Sequence, residues 1–285
     1  MRRSHVPVLF AALMLVSVFA QADDSGKTQS FEIKGEWRQG SLLLGKAEPG
    51  TQVWFDGRRL RLTPQGNFVF GLDRDEKPEA ELKLQRPGES APQTFRYQVA
   101  KRSYKIQRIN GLPPRMVTPP PELVVRIEKD QAEARKAREH DSDLDGFAQA
   151  FIWPCEGRIS GVFGSQRILN GEPRQPHYGV DVAVPVGTPV RAPADGVVTL
   201  AAPDMYYTGG TLMIDHGHGV ASAFLHLSKL LVRKGERVKQ GQVIARSGMS
   251  GRATGPHLDW RVNWFESRVD AEELVPPMTV SKSGK

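Results

Sequence analysis

The sequence predicts a mainly β protein with two domains and a helical linker, and three features of its pattern indicate this fold class. Residues 29–100 contain short runs in which apolar and polar side chains alternate, with turn residues between them. Residues 121–140 are rich in Ala, Glu, Lys and Arg, which is typical of a surface helix. Between residue 151 and a tail at residues 277–285, glycine is frequent and β-type runs dominate. We expect an N-terminal β-sandwich-like domain, a helical linker and a C-terminal antiparallel β domain.

The N-terminal domain is predicted to span residues 23–100 and to be an accessory module. Residues 53–62 read as a hairpin with Asp56 and Gly57 at its turn, a pair that favours type I′ geometry. Roughly seven short strands between turns are typical of a small β-sandwich. The segment contains no acid/base pair and no cluster of metal-ligand residues. We therefore expect it to bind, position or shield, and to take no part in chemistry.

The linker, residues 101–150, is predicted to begin with extended proline-rich segments and to continue as a helix on a domain surface. The helix offers a narrow apolar face made of Leu123, Val124, Ile127 and Ala134. A coiled coil is a weaker interpretation, because the chain offers too few heptads there.

The first 22 residues have the pattern of a secretory signal peptide. Arg2 and Arg3 precede an apolar run at residues 6–20, and Ala-Gln-Ala at residues 20–22 fits the small-x-small cleavage rule. The apolar run is too short for a comfortable membrane span. We expect a mature chain that begins at Asp23 and has no membrane span.

Charge and cysteine content narrow the classes of partner and compartment. The formal net charge of +7 suits an anionic polymer such as cell wall, membrane or nucleic acid without choosing among them. No nucleic-acid-binding motif is present, so we expect no nucleic-acid partner. Cys155 is the single cysteine of the sequence, which excludes an internal disulfide and, in a secreted chain, favours a bacterial envelope protein. We interpret Cys155 as a small buried hydrophobe and not as a reactive thiol.

Two short segments of the C-terminal domain, residues 151–276, each offer an imidazole and a carboxylate. His177 and Asp181 lie in the first segment, and His257 and Asp259 lie in the second. Alternate side chains of an extended strand share a face, so His257 and Asp259 are expected to point the same way. Together the segments predict a zinc site with three ligands and one imidazole left for proton transfer.

Other polar and aromatic residues of this domain are given structural roles. His216 and His218 lie in a glycine-rich hairpin, and we interpret them as polar turn residues. His226 lies in an apolar strand and strengthens the case for a site. Trp260 and Trp264 are expected to pack in the core.

Three motifs and their flanks resemble those of the lysostaphin-type zinc endopeptidases, whose catalytic unit is the LytM-type domain. The motifs read His-Tyr-Gly-Val-Asp at residues 177–181, Phe-Leu-His-Leu-Ser at residues 224–228 and Thr-Gly-Pro-His-Leu at residues 254–258, with matching flanks at residues 190–198 and 235–244. The resemblance covers about residues 151–266. More weakly, the N-terminal region and linker are similar to those of secreted Gram-negative members of the family.

The resemblance implies a periplasmic hydrolase, a zinc metalloprotease that cleaves peptide cross-links of peptidoglycan, with other envelope hydrolases or regulators as further partners. Carried over by position, His177 and Asp181 are zinc ligands, and His226 and His257 are catalytic imidazoles. The family's third ligand is the second His of a His-x-His motif, and Asp259 occupies that position here. We expect Asp259 to be the third ligand, because carboxylate oxygen is an ordinary zinc ligand. A second carboxylate is also expected to offset the charge of the metal and weaken it as a Lewis acid.

Two functions of other classes stay open beside the enzyme. A weak or inactive LytM-type domain would activate or scaffold another cell-wall hydrolase; such domains usually lack several site residues, and here one of five differs, which favours the enzyme. A lipoyl- or biotinyl-type carrier also has paired glycine-rich hairpins. That alternative requires a lysine at a hairpin tip in an Asp-Lys or Met-Lys setting, which this sequence lacks.

Overall fold

The computed structural model describes residues 31–278. The predicted signal peptide at residues 1–22 lies outside the described residues, as does most of the predicted tail. Antiparallel strands dominate the described part of the chain, which confirms the predicted mainly β class. No helix within residues 31–278 is long and apolar enough to cross a membrane.

The N-terminal region forms two small antiparallel sheets that pack on each other through aromatic side chains. Its strands are β1 (Phe31–Lys34), β2 (Leu42–Ala47), β3 (Gln52–Phe55), β4 (Arg58–Leu60), β5 (Asn67–Gly71), β6 (Glu79–Gln85) and β7 (Gln93–Gln98). The sheet orders are β1-β2-β5 and β4-β3-β6-β7. The ring of Phe55 from one sheet stacks on Phe70 from the other at 4.4 Å. Asp56 and Gly57 both have positive φ, +44° and +82°, as the predicted type I′ turn requires.

The linker region contains one short strand and two helices, β8 (Ile106–Ile109), α1 (Pro114–Val117) and α2 (Pro121–Arg138). The predicted linker helix is therefore confirmed, with Pro121 at the first helical position. Its buried residues are Ile127 and Ala137, whereas Val124 is 39% exposed. The predicted apolar face was wrong at Val124.

The C-terminal region is built on one large sheet. The strands of this region are β9 (Arg158–Gly161), β10 (Gln166–Leu169), β11 (Glu172–Pro173), β12 (Val180–Ala183), β13 (Pro189–Arg191), β14 (Gly196–Met205), β15 (Gly209–Gly217), β16 (Val220–Leu227), β17 (Lys229–Leu230), β18 (Arg237–Val238), β19 (Val243–Arg246), β20 (Leu258–Trp264) and β21 (Ser267–Val269). The large sheet has the order β18-β14-β15-β16-β20-β12-β9, and β21 pairs with β20 at the side. Antiparallel pairing runs through this sheet. The predicted antiparallel C-terminal fold is therefore confirmed.

The hydrophobic core runs from the N-terminal strands into the large sheet. Trp260 is fully buried and Trp264 is 5% exposed, so both pack in the core as predicted. Trp264 contacts the ring of Phe55 edge-on at 5.9 Å. Arg102 forms an ion pair of 2.6 Å with the buried carboxylate of Asp270. The end of β20 is thus packed directly against the N-terminal region.

Candidate metal centre

The pairing of two neighbouring strands brings the predicted carboxylates together. β12 and β20 run antiparallel, and their register places Asp181 directly opposite Asp259. His177 lies in the loop before β12, and its backbone N–H donates to the carbonyl of Ser165 at 2.9 Å. His177 also accepts a hydrogen bond at its carbonyl from Gly164, at 2.7 Å. These backbone bonds fix the loop, so the imidazole is held against the sheet.

One donor atom from each of His177, Asp181 and Asp259 lies within 4.8 Å of the other two. His177 Nε2 lies 3.0 Å from Asp181 Oδ1. The three residues are all buried, with His177 at 0%, Asp181 at 7% and Asp259 at 1% exposure. Such a convergence of buried titratable groups forms a candidate metal site.

Two properties of the three residues fit a metal ion: some of their buried polar atoms lack hydrogen-bond partners, and their atom types are ordinary metal ligands. Among residues 31–278, no hydrogen-bond partner is found for the two ring nitrogens of His177 or for Asp181 Oδ1. Buried polar atoms without partners are costly, and coordination would satisfy one ring nitrogen of His177 and Asp181 Oδ1. One imidazole nitrogen and two carboxylate oxygens form a donor set that zinc accepts.

Two arginines contact the carboxylates of this cluster. Arg261 holds Asp259 with both ends of its guanidinium, from Nε to Oδ1 at 2.9 Å and from Nη2 to Oδ2 at 2.6 Å. Arg167 donates from Nη2 to Asp181 Oδ2 at 3.2 Å. Like charges directly opposite each other on paired strands repel, and the guanidinium groups offset that repulsion.

The charge of Arg261 also controls the ionisation of its partner. Burial alone would raise the pKa of Asp259, but the adjacent Arg261 guanidinium and then His177 lower that pKa well below its ordinary range. Asp259 is therefore an anion at neutral pH. A carboxylate has about four lone-pair sites, so the two bonds to Arg261 leave others for a metal.

Two further imidazoles stand beside the cluster. The rings of His226 and His257 lie 4.8 Å apart, and His257 Nε2 lies 3.8 Å from Asp181 Oδ1. In each ring Nδ1 is 2.8 Å from a backbone carbonyl, that of Ser250 for His226 and that of Gly255 for His257. A carbonyl can only accept, so each Nδ1 carries the proton. With the proton on Nδ1, the neutral form of either ring presents the lone pair of Nε2.

His226 has an unusual backbone conformation and a shifted pKa. Its φ is +62°, in the left-handed region that residues other than glycine rarely adopt. Its backbone N–H donates to the carbonyl of Thr208 at 2.8 Å, which holds this conformation at the end of β16. Burial lowers the pKa of His226 to about 4. The ring is therefore neutral at physiological pH and able to accept a proton.

The structure brings all five predicted site residues into one place, while their individual roles stay predictions. The sequence interpretation missed Arg167 and Arg261. Arg261 follows Asp259 by two residues in a strand, so the same alternation that placed Asp259 could have placed it. Arg167 carries no such signal, because it reaches Asp181 from a different strand, β10.

His216 and His218 lie outside this site. His218 lies in the turn between β15 and β16 as predicted, whereas the interpretation of His216 as a turn residue was wrong. His216 is fully buried in β15, with Nδ1 2.8 Å from the carbonyl of Asp195 and Nε2 2.9 Å from Ser222 Oγ. His218 is 6% exposed and packs on the ring of Phe147 at 4.6 Å. The linker covers this hairpin, so its histidines join the interior.

The centre places imidazoles with free nitrogen lone pairs beside a buried cluster of metal ligands. This arrangement is typical of metal-dependent hydrolysis. Comparison with known proteins gives the same class. Residues 175–271 match the family model described as Peptidase family M23. Residues 175–271 therefore form a domain of the peptidase M23 type.

Curated relatives match the same part of the chain. The chain is 39% identical over 146 residues to the peptidoglycan DD-endopeptidase ShyA of Vibrio cholerae. The matched segment covers 50% of this chain and 34% of the relative. It is 43% identical over 108 residues to ShyB of the same organism, covering 38% of this chain and 25% of the relative. The chain thus spans about a third or less of the length of these relatives.

A solved structure extends the likeness to most of the chain. A crystal structure from Pseudomonas aeruginosa, described as a candidate peptidase M23, has a TM-score of 0.66 and 29% sequence identity. The match covers 84% of this chain and 95% of that one. The shared fold therefore includes residues well before the segment that matches the family model.

Proposed function

We propose that this protein is a zinc-dependent endopeptidase that cleaves peptide cross-links of peptidoglycan in the periplasm. The observation that carries the proposal is the buried cluster of His177, Asp181 and Asp259, whose donor atoms converge beside two imidazoles. The DD-endopeptidase activity named for ShyA and ShyB supports the substrate class. The proposed mature chain lacks Arg2 and Arg3 and keeps a net charge of 37 − 32 = +5, which favours association with an anionic wall polymer.

His177, Asp181 and Asp259 would hold the zinc ion. When bound, zinc supplies a Lewis acid that polarises the scissile carbonyl. Burial of all three ligands excludes competing water, so the electrostatic interactions in the site are stronger than in bulk solvent.

His226 and His257 would move protons and stabilise charge. A neutral ring accepts a proton at Nε2 as water attacks, and the resulting imidazolium can return that proton to the leaving amine nitrogen. The carbonyls of Ser250 and Gly255 keep the rings oriented through Nδ1 and stabilise the imidazolium form. A protonated ring also stabilises the oxyanion that develops on the scissile carbonyl.

The test is digestion of purified cross-linked peptidoglycan by the isolated full chain, with metal analysis of the same sample. We expect about one zinc ion per chain, because the three ligands form a single site. We also expect dimeric muropeptides to be converted into monomers. A chelator should stop this conversion and added zinc should restore it. A matched control is Arg268→Met, which removes a half-buried guanidinium on β21 of the same sheet that contacts the ring of Tyr178 and no predicted ligand.

A non-hydrolytic activator is the second candidate, and Asp259 favours it, because this residue stands where the resembling family has its third ligand His. In that case the isolated protein would release no muropeptides, and it would raise the rate of a separate wall hydrolase on the same substrate. Release of muropeptides by the isolated protein excludes this candidate. Intact-mass measurement of the exported protein tests the periplasmic location, since the proposal requires a mature chain that begins at Asp23.

A further inference from the structure

Asp259 and Arg261 form an ion pair that is built into the sheet. They lie two residues apart on β20, and two hydrogen bonds fix the plane of the carboxylate. Asp259 is 1% exposed, and the side chain of Arg261 is 23% exposed. Gly179 leaves room for the pair, because a β-carbon there would lie 2.5 Å from Asp259 Oδ1 and 2.6 Å from Arg261 Cγ.

Each carboxylate of the cluster is paired with a guanidinium that offsets its charge. Asp181 pairs with Arg167, and Asp259 pairs with Arg261. The expectation that a second carboxylate offsets the charge of the metal therefore omitted the cation that accompanies it. A carboxylate joined to a guanidinium has the same net charge as a neutral imidazole.

We infer that Asp259 and Arg261 act as a single neutral ligand unit of the metal centre. Asp259 supplies the donor oxygen, and Arg261 is a positioning residue that orients the carboxylate and offsets its charge. The inference rests on the proposed function in taking zinc as the ion. The planar fork of arginine is required, because a lysine would supply the charge without holding both oxygens.

This unit makes the two positions interdependent. Asp259→His alone restores an imidazole ligand but leaves the cation of Arg261 without its carboxylate beside a divalent metal, which it repels. Adding Arg261→Met removes that cation. We therefore expect Arg261→Met to raise the zinc affinity of the Asp259→His variant, although Arg261→Met deletes a native side chain.

The experiment measures zinc affinity by competition with a chelator of known affinity, in the full chain. Partners of metal ligands typically contribute about 10–100-fold to affinity. We expect Asp259→His to bind zinc about 10–100-fold more weakly than the native chain, and the added Arg261→Met to recover at least tenfold. Arg268→Met in the same Asp259→His background is the matched control and should recover nothing. Native-like affinity of Asp259→His, or no recovery in the double variant, would overturn the inference.

A second variant tests the positioning role without changing the ligand or the net charge. Arg261→Lys in the native background should fold and bind zinc about tenfold more weakly, and unchanged affinity would contradict the assignment. Melting of each metal-free variant establishes that it is folded. If the native chain binds no zinc, the proposed metal centre is wrong and the inference fails with it. If the native chain binds zinc and the two positions show no coupling, the inference alone is wrong.

Discussion

Replacing His177 and His226 separately by alanine should separate metal binding from proton transfer. His177 is fully buried, and neither ring nitrogen has a hydrogen-bond partner among residues 31–278. Four-ligand structural zinc sites contribute about 10–16 kcal/mol, or about 3 kcal/mol for each ligand. Loss of that ligand corresponds to a decrease in zinc affinity of more than about a hundredfold. His177→Ala should therefore lose both zinc and hydrolysis.

His226 is expected to respond differently, because its ring faces His257 and is held by the carbonyl of Ser250. His226→Ala should keep zinc affinity within about threefold of the native value, since no ligand is removed. Its rate of hydrolysis should fall by about 10²–10⁴, the usual contribution of a general acid or base.

Two measurements on the same preparations test whether His177 binds the metal and His226 transfers protons. Chelator competition gives the zinc affinity of the native chain and both variants, and chromatography of released muropeptides gives the rate. Thermal melting in the absence of metal establishes that both variants fold. If His226→Ala loses zinc as completely as His177→Ala, then His226 is a ligand and the division of roles is wrong.

Two predictions concern residues outside the donor set. A β-carbon at Gly161 would lie 2.2 Å from Asp181 Oδ2, so Gly161→Ala should displace that carboxylate and weaken zinc binding about tenfold. Gly255→Ala is the matched control, because its β-carbon would meet no atom of the described residues within 4 Å; equal zinc affinity in both variants would contradict the reasoning. Burial, followed by the charge of Glu156, raises the pKa of Cys155 to about 12, so its thiol stays protonated at neutral and mildly alkaline pH. A disulfide reagent should label Cys155 at least about a hundredfold more slowly in the folded than in the denatured protein, and rapid labelling of the folded protein would refute this.

Features set by neighbouring residues could be predicted from the sequence. The Asp56–Gly57 turn follows from the ease with which these two residue types adopt positive φ, and helix α2 follows from composition and proline placement. The burial of Cys155 was predicted for the same kind of reason, since a small sulfur side chain usually packs in the interior.

Features set by tertiary contact could not be predicted in this way. Val124 is apolar but faces solvent, because the orientation of α2 depends on where Ala137 packs against the large sheet. His216 lies in a glycine-rich hairpin that reads as exposed until the linker covers it. Arg167 reaches Asp181 across strands that are not adjacent in sequence, so only the folded chain shows their contact.

Trp264 ends the strand that begins beside His257, and its indole is packed against Phe55 of the N-terminal region. A fragment that starts at residue 151 would lack Phe55 and would leave part of this indole uncovered at the end of β20, the strand that holds Asp259. We therefore expect a fragment limited to residues 175–271, the segment that matches the family model, to be less stable than the full chain. For protein engineering, the N-terminal strands should therefore be kept together with the peptidase domain.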